Sequence, residues 1–196
     1  MQKTAEVAHP VHPLIAERWS PRAFSDAAVE PEKVASLLEA ARWAPSCFNE
    51  QPWRFLVAMR SDTEAFERIA GTLVDANGWA RSASVLVLTA ARRAFTRDES
   101  PNRHALHDLG LAAGNLVLQA QSLGLVTHQM AGFDPERARR DCAVPEGFEP
   151  ATVIAIGYPG DPETLAEPLR ERELAPRTRK PLETLAFGGR WGEPLA

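Results

Sequence analysis

Apolar residues recur in two registers along this chain, one helical and one continuous. Behind Pro31-Glu32-Lys33, the residues Val34, Leu37, Leu38 and Ala41 repeat at helical spacing. This predicts a helix that opens on proline and buries one face. Ala44-Pro45-Ser46 ends it, because the residue before a proline is pushed out of the helical region. Residues 54–58 read as a strand, and residues 62–75 as a second helix with Asp62 as its N-cap. Ser84 to Thr89 is an unbroken apolar run, the mark of a central strand covered on both faces. The longest helical pattern spans residues 104–123, with a stripe of Leu106, Leu109, Ala113, Leu116, Val117 and Ala120 that stops at Gly124. Gly110 and Gly114 fall inside it. Each costs about 1 kcal/mol against Ala, which predicts that another backbone packs closely there. Residues 125–128 form a short strand, residues 135–140 a short helix behind Asp134, and residues 151–157 another buried strand.

After Tyr158 the pattern is lost. Five prolines and many charges fill residues 159–181, so this tail cannot build a core and must lie on a surface, its own or a partner's. Strands separated by helices indicate an α/β or α+β sandwich. A chain of 196 residues has room for one domain.

Composition narrows the function classes. The net charge of −4 leaves no basic footprint for nucleic acid. No apolar run is long enough to span a membrane, and residues 1–19 lack the apolar core of a signal peptide. Cys47 and Cys142 make neither a disulfide framework nor a metal spacing. A cytoplasmic, reduced protein is expected. No G-x-G-x-x-G follows a strand and no Walker A motif occurs, so a dinucleotide is not held in the Rossmann manner. His104 and His107 lack a third ligand nearby, and a polar helix start accounts for them.

Four segments carry candidate chemistry. Arg18-Trp19-Ser20-Pro21-Arg22 sets two guanidinium groups around a hydroxyl, a grip for an anion. Residues 44–53, APSCFNEQPW, expose Ser, Asn and Gln in a proline-stiffened loop at a helix end. Residues 124–134, GLVTHQMAGFD, end a strand with a glycine that admits close approach. Pro176 to Pro181 encloses Arg177, Arg179 and Lys180, a local basic cluster suited to phosphate. Taken singly, each also reads as a solvated loop or a turn.

Taken in order, these segments resemble the nitroreductase family of flavoproteins. Arg-x-Ser-x-Arg-x-Phe, then Ala-Pro-Ser-x-x-Asn-x-Gln-Pro-Trp, then residues 128–134 and finally Arg177-x-Arg179-Lys180-Pro181 follow that family's sequence of landmarks. The resemblance implies an α+β three-layer sandwich forming an intertwined homodimer, one domain over residues 1–196, with residues 159–196 wrapping the partner. It implies FMN at the dimer interface. Arg18, Arg177 and Arg179 would hold the phosphate, with Trp19 beside them. Ser20 and Arg22 would lie near the ribityl chain and the pyrimidine edge. Pro45, Ser46, Cys47 and Asn49 would come from the partner chain, and Asn77 would touch the pyrimidine. Gln129, Met130, Ala131 and Gly132 would lie along the ring. Trp19 stands where many members carry His or Arg, Cys47 where Ser is common, and the loop at 92–103 is short for a region that covers the substrate in larger members. The implied activity is ping-pong transfer of electrons from NAD(P)H through FMN to nitroaromatic, quinone or related acceptors, with no side-chain acid, base or nucleophile. A non-catalytic flavin store, or a different reaction on the same fold such as dehalogenation, are the alternatives. No metal, nucleic acid or membrane partner is expected.

Overall fold

In a computed structural model that describes residues 3–195, the chain folds around a four-stranded antiparallel sheet. The strands are β1 (Trp53–Met59), β2 (Val85–Arg92), β3 (Val126–Met130) and β4 (Phe148–Gly157), in the spatial order β1-β2-β4-β3. The two interior strands are the two continuous apolar runs, and residues 85–91 of β2 are all buried. One irregularity has a chemical cause. Pro150 of β4 has no N–H to give the ladder, and the β2–β4 register shifts between Thr89 and Ala90, opposite it. The Thr89 hydroxyl accepts from the Thr152 N–H at 3.1 Å and repairs the ladder beside the shift.

The helices are α1 (Pro13–Glu17), α2 (Pro31–Arg42), α3 (Thr63–Ala70), α4 (Ala105–Ser122), α5 (Pro135–Asp141) and α6 (Leu169–Leu174). Helices α2 and α4 cover one face of the sheet, where Leu37, Ala41, Leu109, Ala113 and Leu116 meet Val85, Val87, Ile154 and Ile156. Helices α3 and α5 cover the other, where Phe66, Ile69 and Ala138 meet Leu86, Leu88, Val153 and Ala155. The result is the expected helix–sheet–helix sandwich. Asp62 and Asp134 cap α3 and α5, accepting from the N–H groups of Ala65 and Arg137. Helix α3 ends at Ala70, shorter than the 62–75 pattern, because residues 75–82 form a separate 3-10 segment.

The helix glycines and the tail differ in how far their own chain covers them. A Cβ built on Gly110 or Gly114 would meet nothing within 4 Å, so no part of this chain packs on them. They lie on the outer face of α4, beside the exposed Leu106 and Leu111, and Leu106 therefore leaves the buried stripe. The first part of the tail also lies on its own chain. Phe24 pairs with Pro159 in an isolated bridge, and the Gly160 N–H donates to the Ala23 carbonyl at 2.9 Å. A Cβ on Gly160 would stand 2.4 Å from the Phe24 carbonyl carbon, so only glycine admits this contact. Beyond Arg177 the tail is almost wholly exposed, and Trp191 keeps 93% of its surface accessible. Among the described residues, no helix is long and apolar enough to cross a membrane.

Candidate functional site

The strip from Ala16 to Phe24 has little regular structure, and side chains from distant parts of the sequence fix it in place. The Arg177 guanidinium donates to the carbonyls of Lys3 (2.6 Å), Ala16 (2.6 Å) and Arg18 (2.9 Å). His128 Nδ1 meets the Pro21 carbonyl at 3.0 Å. The Glu173 carboxylate accepts from the Arg22 N–H (2.9 and 3.0 Å) and from the Ala23 N–H (3.1 Å). Arg18 and Ser20 are thereby held together, Arg18 Nη1 donating to the Ser20 hydroxyl at 3.2 Å.

Arg18, Arg177 and Arg179 line one cavity of about 310 Å³ together with Val7, Val11 and Ile15, and with the exposed Glu6 at its rim. Burial, followed by the Arg177 and Arg179 cations, lowers the pKa of Arg18. The Arg177 pKa is lowered by burial and by Arg179. Three guanidinium groups that repel one another around a concave wall suit a multiply charged anion, and a phosphate would match their fork geometry. Arg177 differs from the other two, since its N–H groups already bind three backbone carbonyls.

Trp19 turns away from this cavity. It faces a second one, with Gln121, Gly124 and Pro159, and Lys3 Nζ lies 4.7 Å from the centre of its indole ring. Arg22 sits between an indole and a buried carboxylate, 5.8 Å from the centre of Trp79 and 3.7 Å from Glu173 Oε2. Trp79 stacks on Phe24 and meets the His128 ring at a centroid distance of 4.6 Å. His128 is held neutral: burial is the main cause, the Arg22 and Arg18 cations add to it, and its pKa falls to about 4.

Asn77 and Gly132 are in direct contact. The Asn77 amide donates to the Gly132 carbonyl at 2.9 Å, and the Val74 N–H donates to the same oxygen at 3.2 Å. Met130 is buried, while Gln129 and Ala131 are exposed beside it. The segment after β3 and the Asn77 turn are therefore hydrogen-bonded to each other.

Pro45, Ser46, Cys47 and Asn49 lie elsewhere. The Cys47 N–H donates to Asp108 in the first turn of α4 at 3.0 Å, and the Ser46 hydroxyl accepts from the Gln51 N–H at 3.0 Å. Phe48, Asn49 and Gln51 all have φ between 51° and 58°, a left-handed conformation that L residues adopt at a cost. The neighbouring loop supports it. Glu50 accepts from the Thr96 N–H and hydroxyl, Phe48 meets Phe95 edge to face, and Arg97 lies over both rings. Cys47 thus sits at the start of α4 and Trp19 at its end. From Asp108 to Gln121 the helix axis runs ~20 Å, at ~1.5 Å per residue. Within one chain the second landmark is remote from the other three.

The sequence matches the profile of the Nitroreductase family over residues 15–158. The chain belongs to the nitroreductase family. A Mycolicibacterium smegmatis relative described as "uncharacterized 15.4 kDa protein in ask 5′ region" is 42% identical over 149 residues, covering 72% of this chain and 99% of that protein. An Archaeoglobus fulgidus relative, provisionally described as an NADH dehydrogenase/NAD(P)H nitroreductase, is 27% identical over 158 residues, covering 79% of this chain and 88% of its own. Among solved structures, one described as an oxidoreductase containing FMN superposes with a TM-score of 0.91 at 37% identity, over 96% of each chain. As a member of this family, the chain has several residues whose part emerges only in three dimensions. Trp79, Asp108 and Glu173 are brought to the candidate segments by tertiary contacts, and no local motif marks them. Among the described residues, no group of three or more His, Cys, Asp or Glu side chains is placed to hold a metal ion. Cys47 and Cys142 are free thiols.

Proposed function

We propose that this nitroreductase-family chain is an FMN-dependent oxidoreductase that draws electrons from NAD(P)H and passes them to a small acceptor. The observation that carries this reading is the cavity walled by Arg18, Arg177 and Arg179, where three cations converge without a carboxylate ion-paired to them among the described residues. This donor set fits the terminal phosphate of FMN. The family membership and the FMN-containing structural relative support the same cofactor, and the name of the Archaeoglobus relative supports NAD(P)H as donor.

Bound FMN would supply two-electron redox chemistry, accepting from NAD(P)H and donating to nitroaromatic, quinone or related acceptors in ping-pong order. The chain's own residues bind and orient it. Arg18 and Arg179 would hold the phosphate, and Arg177 fixes the strip that carries Arg18. Ser20 and Arg22 would lie toward the polar edge of the cofactor. Asn77 and residues Gln129 to Gly132 would lie along the ring. Neutral His128 braces the Pro21 carbonyl and adds no charge.

Pro45, Ser46, Cys47 and Asn49 complete the site from a second copy, since their own α4 separates them from the first half. The outer face of α4, with Leu106, Leu111 and two unpacked glycines, supports this homodimer, because glycine lets helix backbones approach closely. Residues 178–195 would then lie on the partner.

The test is an absorption spectrum of the purified protein under argon, before and after NADH or NADPH. Flavin bands that bleach with either nucleotide and return with a quinone or nitroarene are expected. Bands that neither nucleotide bleaches would favour flavin storage, and a chain that takes up no FMN would sink the reading.

A further inference from the structure

Glu173 is the most deeply buried ionisable side chain among the described residues, with 1% exposure. It lies in α6, in the proline-rich tail that by sequence must lie on a surface, its own or a partner's. Its carboxylate reaches back about 150 residues to the strip that carries Arg18, Ser20 and Arg22. Both oxygens accept from the Arg22 N–H, one also accepts from the Ala23 N–H, and Oε2 stands 3.7 Å from Arg22 Nη1. The Glu173 backbone carbonyl accepts from Lys3 Nζ at 2.7 Å, which ties the N-terminal arm to the same point. The Arg22 side chain retains 23% exposure, and Trp79 is another of its neighbours.

Two backbone N–H groups alone could be satisfied by a neutral acceptor or by a carbonyl. A full negative charge buried beside one guanidinium does something further: it cancels part of that cation's field. Salt screens the pair weakly, because the carboxylate is sealed from water. We propose that Glu173 is a positioning residue that sets the net charge presented to bound FMN by Arg22, and so sets how strongly the site prefers reduced over oxidised cofactor. The inference rests on the FMN reading above, in which Arg22 faces the cofactor.

The electrostatics give the sign. Two electrons and one proton convert the neutral flavin ring into a ring with one negative charge. Arg22 favours the reduced form and Glu173 opposes it. The residue thus restrains the affinity for reduced FMN, leaving the bound cofactor a stronger reductant for an acceptor than Arg22 alone would allow. A purely structural role acts differently. Loosening the strip weakens both redox forms alike and leaves their ratio unchanged.

The experiment measures the dissociation constants of oxidised and reduced FMN, the latter anaerobically, for the full-length wild type and Glu173→Gln. Glu173→Gln is expected to raise the ratio of oxidised to reduced dissociation constants by about tenfold, on the scale of one partly buried charge. That equals about 30 mV more positive for a two-electron couple. Glu173→Asp, which keeps the charge, should stay within about twofold of wild type in this ratio even if both affinities fall. Should Glu173→Gln not fold, Glu173→Gln/Arg22→Gln removes both charges together and is compared with Arg22→Gln, against which the same upward change is expected. A ratio within twofold of its reference in a Gln variant that still binds FMN overturns the inference while the FMN reading stands. A wild type that takes up no FMN in either state overturns both.

Discussion

Arg177 and Arg179 stand two residues apart in the tail and differ in what their guanidinium groups bind. Arg177 satisfies three backbone carbonyls, whereas Arg179 reaches only the Thr178 carbonyl at 2.7 Å. Arg179→Ala should therefore weaken FMN binding at least tenfold with little change in unfolding midpoint. Arg177→Ala should weaken FMN and also cost about 1–3 kcal/mol, the scale of buried acceptors left without donors. Equilibrium dialysis with FMN, paired with urea unfolding of the apo-protein, separates the two, and equal destabilisation would contradict the distinction. His128 gives a pH prediction. Its pKa falls from 6.5 to about 4 on folding, so between these values the unfolded chain binds the extra proton. The stability it confers is complete above pH 6.5 and is lost as pH falls toward 4, a loss of about 3 kcal/mol. His128→Asn, whose amide can still donate to the Pro21 carbonyl, should flatten this part of the urea midpoint against pH. A slope as steep as in wild type would assign the effect to carboxylates instead.

At the scale of elements, the contact between the Asn77 turn and the end of β3 is the most sensitive joint. A Cβ on Gly132 would lie 2.6 Å from Asn77 Nδ2 and 3.1 Å from Val74 Cγ2. Gly132→Ala must push the Asn77 amide off the Gly132 carbonyl, and is expected to cost about 1–3 kcal/mol. The double variant Gly132→Ala/Asn77→Ala should recover part of that loss, since it removes the colliding group. Additive losses in thermal unfolding would show that the collision is relieved elsewhere. This joint also marks the border of what the sequence discloses. The strands, α2 with its buried Val34, Leu37 and Ala41, and the caps Asp62 and Asp134 all follow from periodicity and local hydrogen bonding. So do the four polar segments. What brings Asn77 to Gly132, Glu173 to Arg22 or Cys47 to Asp108 is contact across 55 to 151 positions, and nothing in a local window encodes it. Trp19 shows the same limit from the other side. Its neighbours Arg18 and Ser20 are hydrogen-bonded to each other, but the backbone turns the indole toward α4.

For the whole molecule, the outer face of α4 decides between one chain and two. In an isolated chain, Gly110 and Gly114 face open space, so replacing each with Ala should stabilise the helix by about 1 kcal/mol. In a dimer packed on this face, small residues permit close approach and large ones forbid it. Gly114→Arg is then the telling variant, because a Cβ at this position meets nothing within 4 Å in its own chain, so a monomer is expected to accommodate the side chain. The homodimer reading expects Gly114→Arg to sediment as a folded monomer that binds FMN at least tenfold more weakly, since Pro45 to Asn49 of the second copy are withdrawn. A Gly114→Arg protein that remains a flavin-loaded dimer would move the interface away from α4. If the variant is instead a monomer with undiminished FMN affinity, the site is complete within one chain. The strained, aromatic-braced turn at Phe48 to Gln51 would then belong to something other than the flavin.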